Sequence, residues 1–162
     1  MAEIHHKIDL LQKANFRNPE NLLDELHNAA YAGDLSRYFG CFAKNSRFLG
    51  TDPHENWRAV EFLEFCRPHF DGTKPAWIYR PIDGSRKIDI HDINNFATFD
   101  ELLDSESFLC ISRGTGALVK LDDYWFVSLY HLSFPVPNDL AKETCKQFAT
   151  FQEKSSLARK TA

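Results

Sequence analysis

No run of about 18 apolar residues occurs in the 162-residue chain, so no segment reads as a bilayer-spanning helix. Basic charge is also scarce: 19 Lys and Arg stand against 23 Asp and Glu, a formal net charge of -4. The cations are spread along the chain, and nucleic-acid binding, which needs a clustered basic surface, is not expected. Only the tail EKSSLARKTA leans basic, and it reads as a solvated terminus. The glycines form no phosphate-cradling loop, dinucleotide fingerprint or nucleophile elbow. Cys41, Cys66, Cys110 and Cys145 contain no CxxC pair, which excludes a zinc ribbon or a thioredoxin-like motif. Their apolar contexts, such as YFGCFA and SFLCIS, predict buried free thiols. The histidines form neither HExxH nor HxH, so neither a metal site nor a cofactor is expected. MAEIHHKIDLLQK lacks the apolar region and cleavage site of a signal peptide. A cytoplasmic protein without membrane attachment is expected.

What the chain has in quantity is aromatic: 14 Phe, 5 Tyr and 3 Trp, within a hydrophobic share of 43%. That composition suits one globular domain with its own core. Asn18 as cap, Pro19 at the first helical position and Gly33 as stop predict a helix whose apolar stripe is Leu22, Leu23, Leu26, Ala29 and Ala30. Asp34 caps a second helix carrying Leu35, Tyr38, Phe39 and Phe42 at helical spacing. A short strand, SRFLG, leads into a third helix expected from Pro53 to Cys66 and stopped by Pro68. The period then changes from helical to alternating. AWIYRPIDGSRKIDIHD predicts a strand, a turn at Asp83-Gly84 and a second strand. FATFDELL, FLCISRGTGALVKL and YWFVSLYHLSFPV predict three more strands, before a last helix from Asn138 to about Lys154 with Leu140, Phe148 and Phe151 on one side. The expected fold is α+β: three N-terminal helices on a strongly curved, mostly antiparallel sheet, with a C-terminal helix. Residues 1–17 are expected to form an N-terminal extension, 18–139 the domain, and 140–162 the C-terminal helix and tail.

Four segments, AGDLSRYFGCFAKNSRFLGTDPHENW, RPHF, FATFDELL and RGTGALVKLDDYWFVSLYHLSFPVPND, occur in order over about residues 20 to 139. Together they resemble the SnoaL-like branch of the nuclear transport factor 2 superfamily. The resemblance implies a cone, a curved sheet wrapped around helices and open at one end over a pocket. It also implies dimers built on the sheet's outer face. Function is not implied at the same level, because this fold hosts isomerases, cyclases, dehydratases and pure binding modules.

Asp52, in GTDPHENW, admits two readings. As a helix cap it completes a capping box with Pro53 at the first helical position and Glu55 reaching back. The resemblance supplies the other: ketosteroid isomerases of this fold carry an aspartate followed by proline near the matching turn and use it as a general base. Alignment on AYAGD places Leu26 where those enzymes have an oxyanion-donating tyrosine, and losing such a donor costs on the order of a few kcal/mol of transition-state stabilisation. Capping is therefore the favoured role of Asp52.

A two-residue turn at Asp122-Asp123 places Gly114 opposite His131 and Arg113 opposite Leu132. His131 and Arg113 then point to opposite sides unless a bulge intervenes. The His131 side, with Trp125, Val127, Leu129, Leu118, Gly114 and Gly116, is assigned to the interior, because glycines there leave space for bulky neighbours. Arg113, Tyr130 and Leu132 are assigned to the outer face and a homodimer interface. Glu101 alternates with Ala97, Phe99 and Leu103, a carboxylate on an apolar face that could pair with a histidine. Trp57, His69, Trp77, Tyr79, Phe99 and Trp125 are candidate pocket walls, whereas Phe39, Phe42 and Phe62 are expected in the core. The expected function is binding of a small, largely apolar molecule without catalysis. The alternative is a cofactor-free isomerase, cyclase or dehydratase in which His131, with Asp52 or Glu101, moves protons.

Overall fold

Helix α1 (Pro19–Tyr31) starts where its cap predicts: Asn18 is extended and its Oδ1 accepts from the Glu20 N–H at 2.8 Å. It buries Leu22, Leu23, Leu26, Ala29 and Ala30. Gly33, at φ +64°, turns the chain, and Asp34 caps α2 (Leu35–Gly40) by accepting from the Arg37 N–H at 3.0 Å. These elements belong to a computed structural model that describes residues 16–91, 95–106 and 108–160, without the side chains of 153–160.

Phe42, expected in α2, instead opens strand β1 (Phe42–Leu49), which is longer than SRFLG alone. The third helix also starts later than expected. Asn56–Arg58 form strand β2 against β1, with Trp57 paired to Phe48, and α3 covers only Ala59–Cys66. Strand pairing thus takes the residues that cap chemistry had assigned to a helix. The capping partner is Glu61, whose Oε2 accepts from the Arg58 N–H at 2.8 Å. A 3-10 turn, Arg67–His69, follows at the proline.

The sheet is completed by β3 (Tyr79–Pro81), β4 (Lys87–Ile90), β5 (Phe96–Ser105), β6 (Ser112–Leu121) and β7 (Tyr124–Ser133). Its order is β2-β1-β7-β6-β5, with β1 and β7 parallel and the other pairs antiparallel. The turn at Asp83-Gly84 does not make a hairpin. β3 pairs with Leu103–Ser105 and β4 with Ala97–Asp100, so the two short strands lie end to end along the edge of β5. FLCI, expected to start β6, is a loop with Phe108, Leu109 and Ile111 exposed. The last helix, α4 (Asn138–Lys160), leaves Leu140, Phe148 and Phe151 exposed. Cys41 and Cys66 are buried, as expected for all four thiols, but Cys110 and Cys145 are exposed.

One departure decides which residues face the hollow. Asp122 and Asp123 adopt φ 47° and 68°, the left-handed pair that a two-residue hairpin requires. The first four pairs, from Leu121↔Tyr124 to Leu118↔Val127, keep the expected register. The next pair is Ala117↔Leu129, which leaves Ser128 as an extra residue. Beyond this bulge, Gly116 faces Tyr130, Thr115 faces His131 and Gly114 faces Leu132. Tyr130 and Leu132 therefore turn inward and His131 outward, reversing the expected assignment of this half of the strand. Gly116 makes the bulge possible, since a Cβ there would run into the Leu129 carbonyl oxygen and the Phe99 ring.

The sheet's inner face packs on the helices through Leu22, Leu23, Phe39, Phe62, Leu103, Leu118 and Val127. Each such side chain contributes about 1.5–3 kcal/mol of burial. Among the described residues, no helix is long and apolar enough to cross a membrane.

Candidate functional site

At the open end of the cone lies a cavity of about 360 Å³. α1 contributes Leu26 and His27, β1 Phe48, and α3 Phe62 and Phe65. β7 contributes Tyr130 and Leu132, and the approach to β3 contributes Ala76, Trp77 and Tyr79. Nine of its lining residues are Phe, Tyr or Trp. Several rings lie nearly parallel: Phe48 and Phe62 at 3.9 Å and 13°, Phe48 and Tyr130 at 5.6 Å and 6°, Trp57 and Phe65 at 4.5 Å and 23°. Parallel rings make flat walls that suit a flat guest.

Behind His27, which stands in the cavity wall, lies Glu101, fully buried on β5 and not itself part of the lining. Its Oε1 lies 2.7 Å from Nε2 of His27, and its Oε2 accepts from Nε of Arg86 at 2.7 Å. Arg86, just before β4, reaches the rim of α1, where Nη1 donates to Asp24 Oδ1 at 2.7 Å and Glu20 Oε2 at 3.0 Å. The Tyr130 hydroxyl lies against the same Glu101 carboxylate, in space left by the missing side chain of Gly114. Burial pushes the Glu101 carboxyl up, but the hydrogen bonds and charges of His27 and Arg86 outweigh it and hold the group below the ordinary carboxylate value. Arg86 loses by burial and gains more from Glu101, Asp24 and Glu20, so it stays firmly cationic. Burial raises the Tyr38 and Tyr130 hydroxyls well above a free tyrosine and pushes Tyr79 up to about 12. All three remain neutral hydroxyls at physiological pH. Burial also pushes up the Cys41 and Cys66 thiols, which leaves them unreactive.

The candidates named from sequence scatter over three environments. Trp57, His69, Trp77 and Tyr79 line the cavity. Phe99 and Trp125 are buried in the core, outside the cavity wall. Phe62, expected in the core, is buried and also lines the cavity. Asp52 is exposed: its Oδ1 accepts from the His54 N–H at 2.8 Å, and its own N–H donates to Glu55 Oε2 at 3.1 Å. Glu55 reaches back to the Asp52 N–H as in a capping box, but the Asp52 carboxylate accepts from His54 and not from Glu55, and the bonds close a turn and not a helix. Thr51 and Glu55 reach the cavity rim, while Asp52 does not. His131 is half-buried on the opposite face of the sheet, separated from Glu101 by the strand itself. The histidine beside Glu101 is His27, which sequence reasoning missed. A signal was present, since position 27 follows Leu23 by one helical turn and so borders the buried stripe of α1. Arg86 had no such signal. Among the described residues, no group of His, Cys, Asp or Glu converges to hold a metal ion.

A curled α+β sheet around helices, with an apolar hollow at its open end, defines the nuclear transport factor 2-like, or cystatin-like, class of domain. The chain belongs to the SnoaL-like domain family, whose profile matches residues 20–137. Solved structures agree at the level of fold. A protein of unknown function from Pseudomonas putida matches with a TM-score of 0.58 at 14% identity, over 74% of this chain and 85% of that one. One from Shewanella oneidensis, also of unknown function, matches at 0.57 and 17% identity, over 70% and 94%. A Streptomyces avermitilis protein, proposed to be a dehydratase of this fold family, matches at 0.59 and 11% identity, over 73% and 94%. No curated protein matches the sequence.

Proposed function

We propose that the domain binds a small, flat, largely aromatic molecule in the cone, with the molecule's polar end against His27. One observation carries this reading: a cavity of about 360 Å³ walled by aromatic rings, with a half-buried histidine in its wall held from behind by a buried carboxylate. An apolar cavity of about 150 Å³ takes benzene, so this one has room for two to three fused rings. Native mass spectrometry of the purified protein, looking for a retained small molecule, tests it together with thermal shifts on adding naphthalene-sized arenes. No retained mass and no shift with any arene would refute it.

A second reading is supported by the same pair. His27 held by Glu101 is an acid–base group at the cavity, which the expected combination of His131 with Asp52 or Glu101 is not. Proton transfer on a carbonyl-bearing guest would appear as solvent-deuterium exchange at the α-carbon of a cyclic ketone such as 2-tetralone, lost in His27→Gln. No exchange above the buffer rate would leave binding alone.

The outer face is proposed to pack against a second copy. With Tyr130 and Leu132 turned inward, that face presents Arg113, Thr115, Leu129 and His131. Light scattering at micromolar concentration should then give twice the chain mass; a single-chain mass would remove the proposal.

A further inference from the structure

We infer that the guest is a cation: an aryl ammonium whose rings lie in the cone and whose charged head sits at the mouth, between the Glu55 carboxylate and the face of Trp57. The inference rests on the cavity reading above and adds the chemistry of the guest's outer end.

The placement follows from strand pairing. Phe48 lies opposite Trp57 and Leu49 opposite Asn56. The Gly50 N–H donates to the Glu55 carbonyl at 2.9 Å, which carries the ladder one pair further. Alternation then puts Gly50 and Glu55 on the face of Phe48 and Trp57, and all four line the cavity. A Cβ at Gly50 would run into the Glu55 carboxyl, so that carboxyl lies over the bare Gly50 backbone. The Asp52 N–H fixes it by donating to Oε2 at 3.1 Å. Among the described residues, nothing donates to Oε1 and no cation pairs with the group. Burial raises the Tyr79 hydroxyl, and Cys110 and the Glu55 carboxylate add to that rise, so the charge is felt at a second wall of the cavity.

The rest of the wall suits a cation as well. Its lining holds no Lys or Arg, and its tyrosine hydroxyls stay neutral. His27, charged or not, has the Glu101 carboxylate 2.7 Å away to offset it. Trp57, Phe65, His69 and Trp77 form an arc of rings along the more exposed part of the wall, with successive centroids 4.5, 5.4 and 6.4 Å apart. A cation over the face of an indole is attracted by the ring's quadrupole, more strongly where water is partly excluded. Side chains two apart on a strand stand about 7 Å from each other, which puts one ammonium within reach of both Glu55 and Trp57. A neutral guest would use the same walls and leave the carboxylate partly desolvated without a partner.

Two guests of nearly one shape discriminate: 2-naphthylmethylamine, charged at about pH 7.5, and 2-naphthalenemethanol, which is not. Titrated calorimetrically into the full chain, the ammonium should bind about ten-fold more tightly than the alcohol. Glu55→Gln keeps an oxygen for the Asp52 N–H and removes the charge. It should cut the affinity of the ammonium about ten-fold and leave that of the alcohol unchanged. Equal affinities for the native protein, or tighter binding of the alcohol, overturn this inference and leave the cavity reading standing. An ammonium preference that survives Glu55→Gln also overturns it, because the attraction would then belong to the net charge of the chain. Failure of both guests to bind overturns the inference and the cavity reading together. Should Glu55→Gln not fold, the quaternary analogue, 2-naphthylmethyl-trimethylammonium, decides on the native protein. Nuclear Overhauser contacts from its N-methyl protons to the Trp57 indole are expected, and contacts to the buried Tyr38 ring in their place overturn the placement.

Discussion

Glu101 owes its character to residues far from it in sequence. Its place on an apolar face was legible from alternation with Ala97, Phe99 and Leu103, and it is fully buried there. Its partners were not legible. His27 lies 74 positions earlier and Arg86 sits in a turn, and nothing local to either marks the other. The pairing has a consequence for stability. The folded carboxyl titrates below its ordinary value, so the unfolded chain takes up the proton first as pH falls. The contribution of Glu101 is then complete above the ordinary glutamate value of about 4.3 and is lost as pH drops through the folded value. The urea midpoint of the native protein should fall below about pH 4.5 more steeply than that of Glu101→Gln. Parallel acid limbs for the two proteins would show that the pair is not coupled to folding. Asp52 gives the opposite lesson. Its capping chemistry was legible, but what it caps was not, because β1 claims Asn56–Arg58 for pairing. Asp52→Ala removes bonds in an exposed turn and should cost no more than about 0.5 kcal/mol, against the ~1 kcal/mol of a lost helix cap. Denaturation midpoints measure the difference.

At the level of elements, β7 shows what a repeating pattern can and cannot convey. Its turn and the first four pairs with β6 follow from the sequence, because Asp-Asp accepts left-handed backbone and alternation sets the rest. The extra residue at Ser128 leaves no trace in hydropathy, since Leu129, Tyr130 and Leu132 are all apolar and either face would accept them. The glycines opposite were a partial clue. From sequence they amount to space for bulky neighbours, and the structure uses Gly114 for the Tyr130 hydroxyl and Gly116 for the close approach of Leu129. Gly116→Ala should destabilise the domain by about 1–3 kcal/mol through overpacking against backbone that cannot retreat. A neutral substitution in urea denaturation would mean that the bulge tolerates a Cβ. The hairpin expected at Asp83-Gly84 failed for a related reason. A ten-residue β5 offers an edge long enough for both short strands, and that pairing is decided in three dimensions.

For the whole molecule, the order of motifs from about residue 20 to 139 sufficed for the fold, and the family profile covers residues 20–137. The cavity could be foreseen only as a kind of space. Which aromatic residues wall it depends on the bulge in β7 and on where α3 begins, and both are settled by packing. The polar end of that space has one further property. Glu20, Asp24 and Glu101 surround the single guanidinium of Arg86, and Glu55 adds a carboxyl at the rim. At the cavity itself Glu55 stands in the lining and Glu101 lies behind His27, so a guest bearing its own carboxylate would meet like charge in a medium that screens poorly. The cone should sort visitors by sign before it sorts them by shape: 2-naphthoate, matched to 2-naphthol in ring and size, is expected to bind at least about ten-fold more weakly than the naphthol, and comparable affinities of the two by calorimetry would show that the hollow is indifferent to charge.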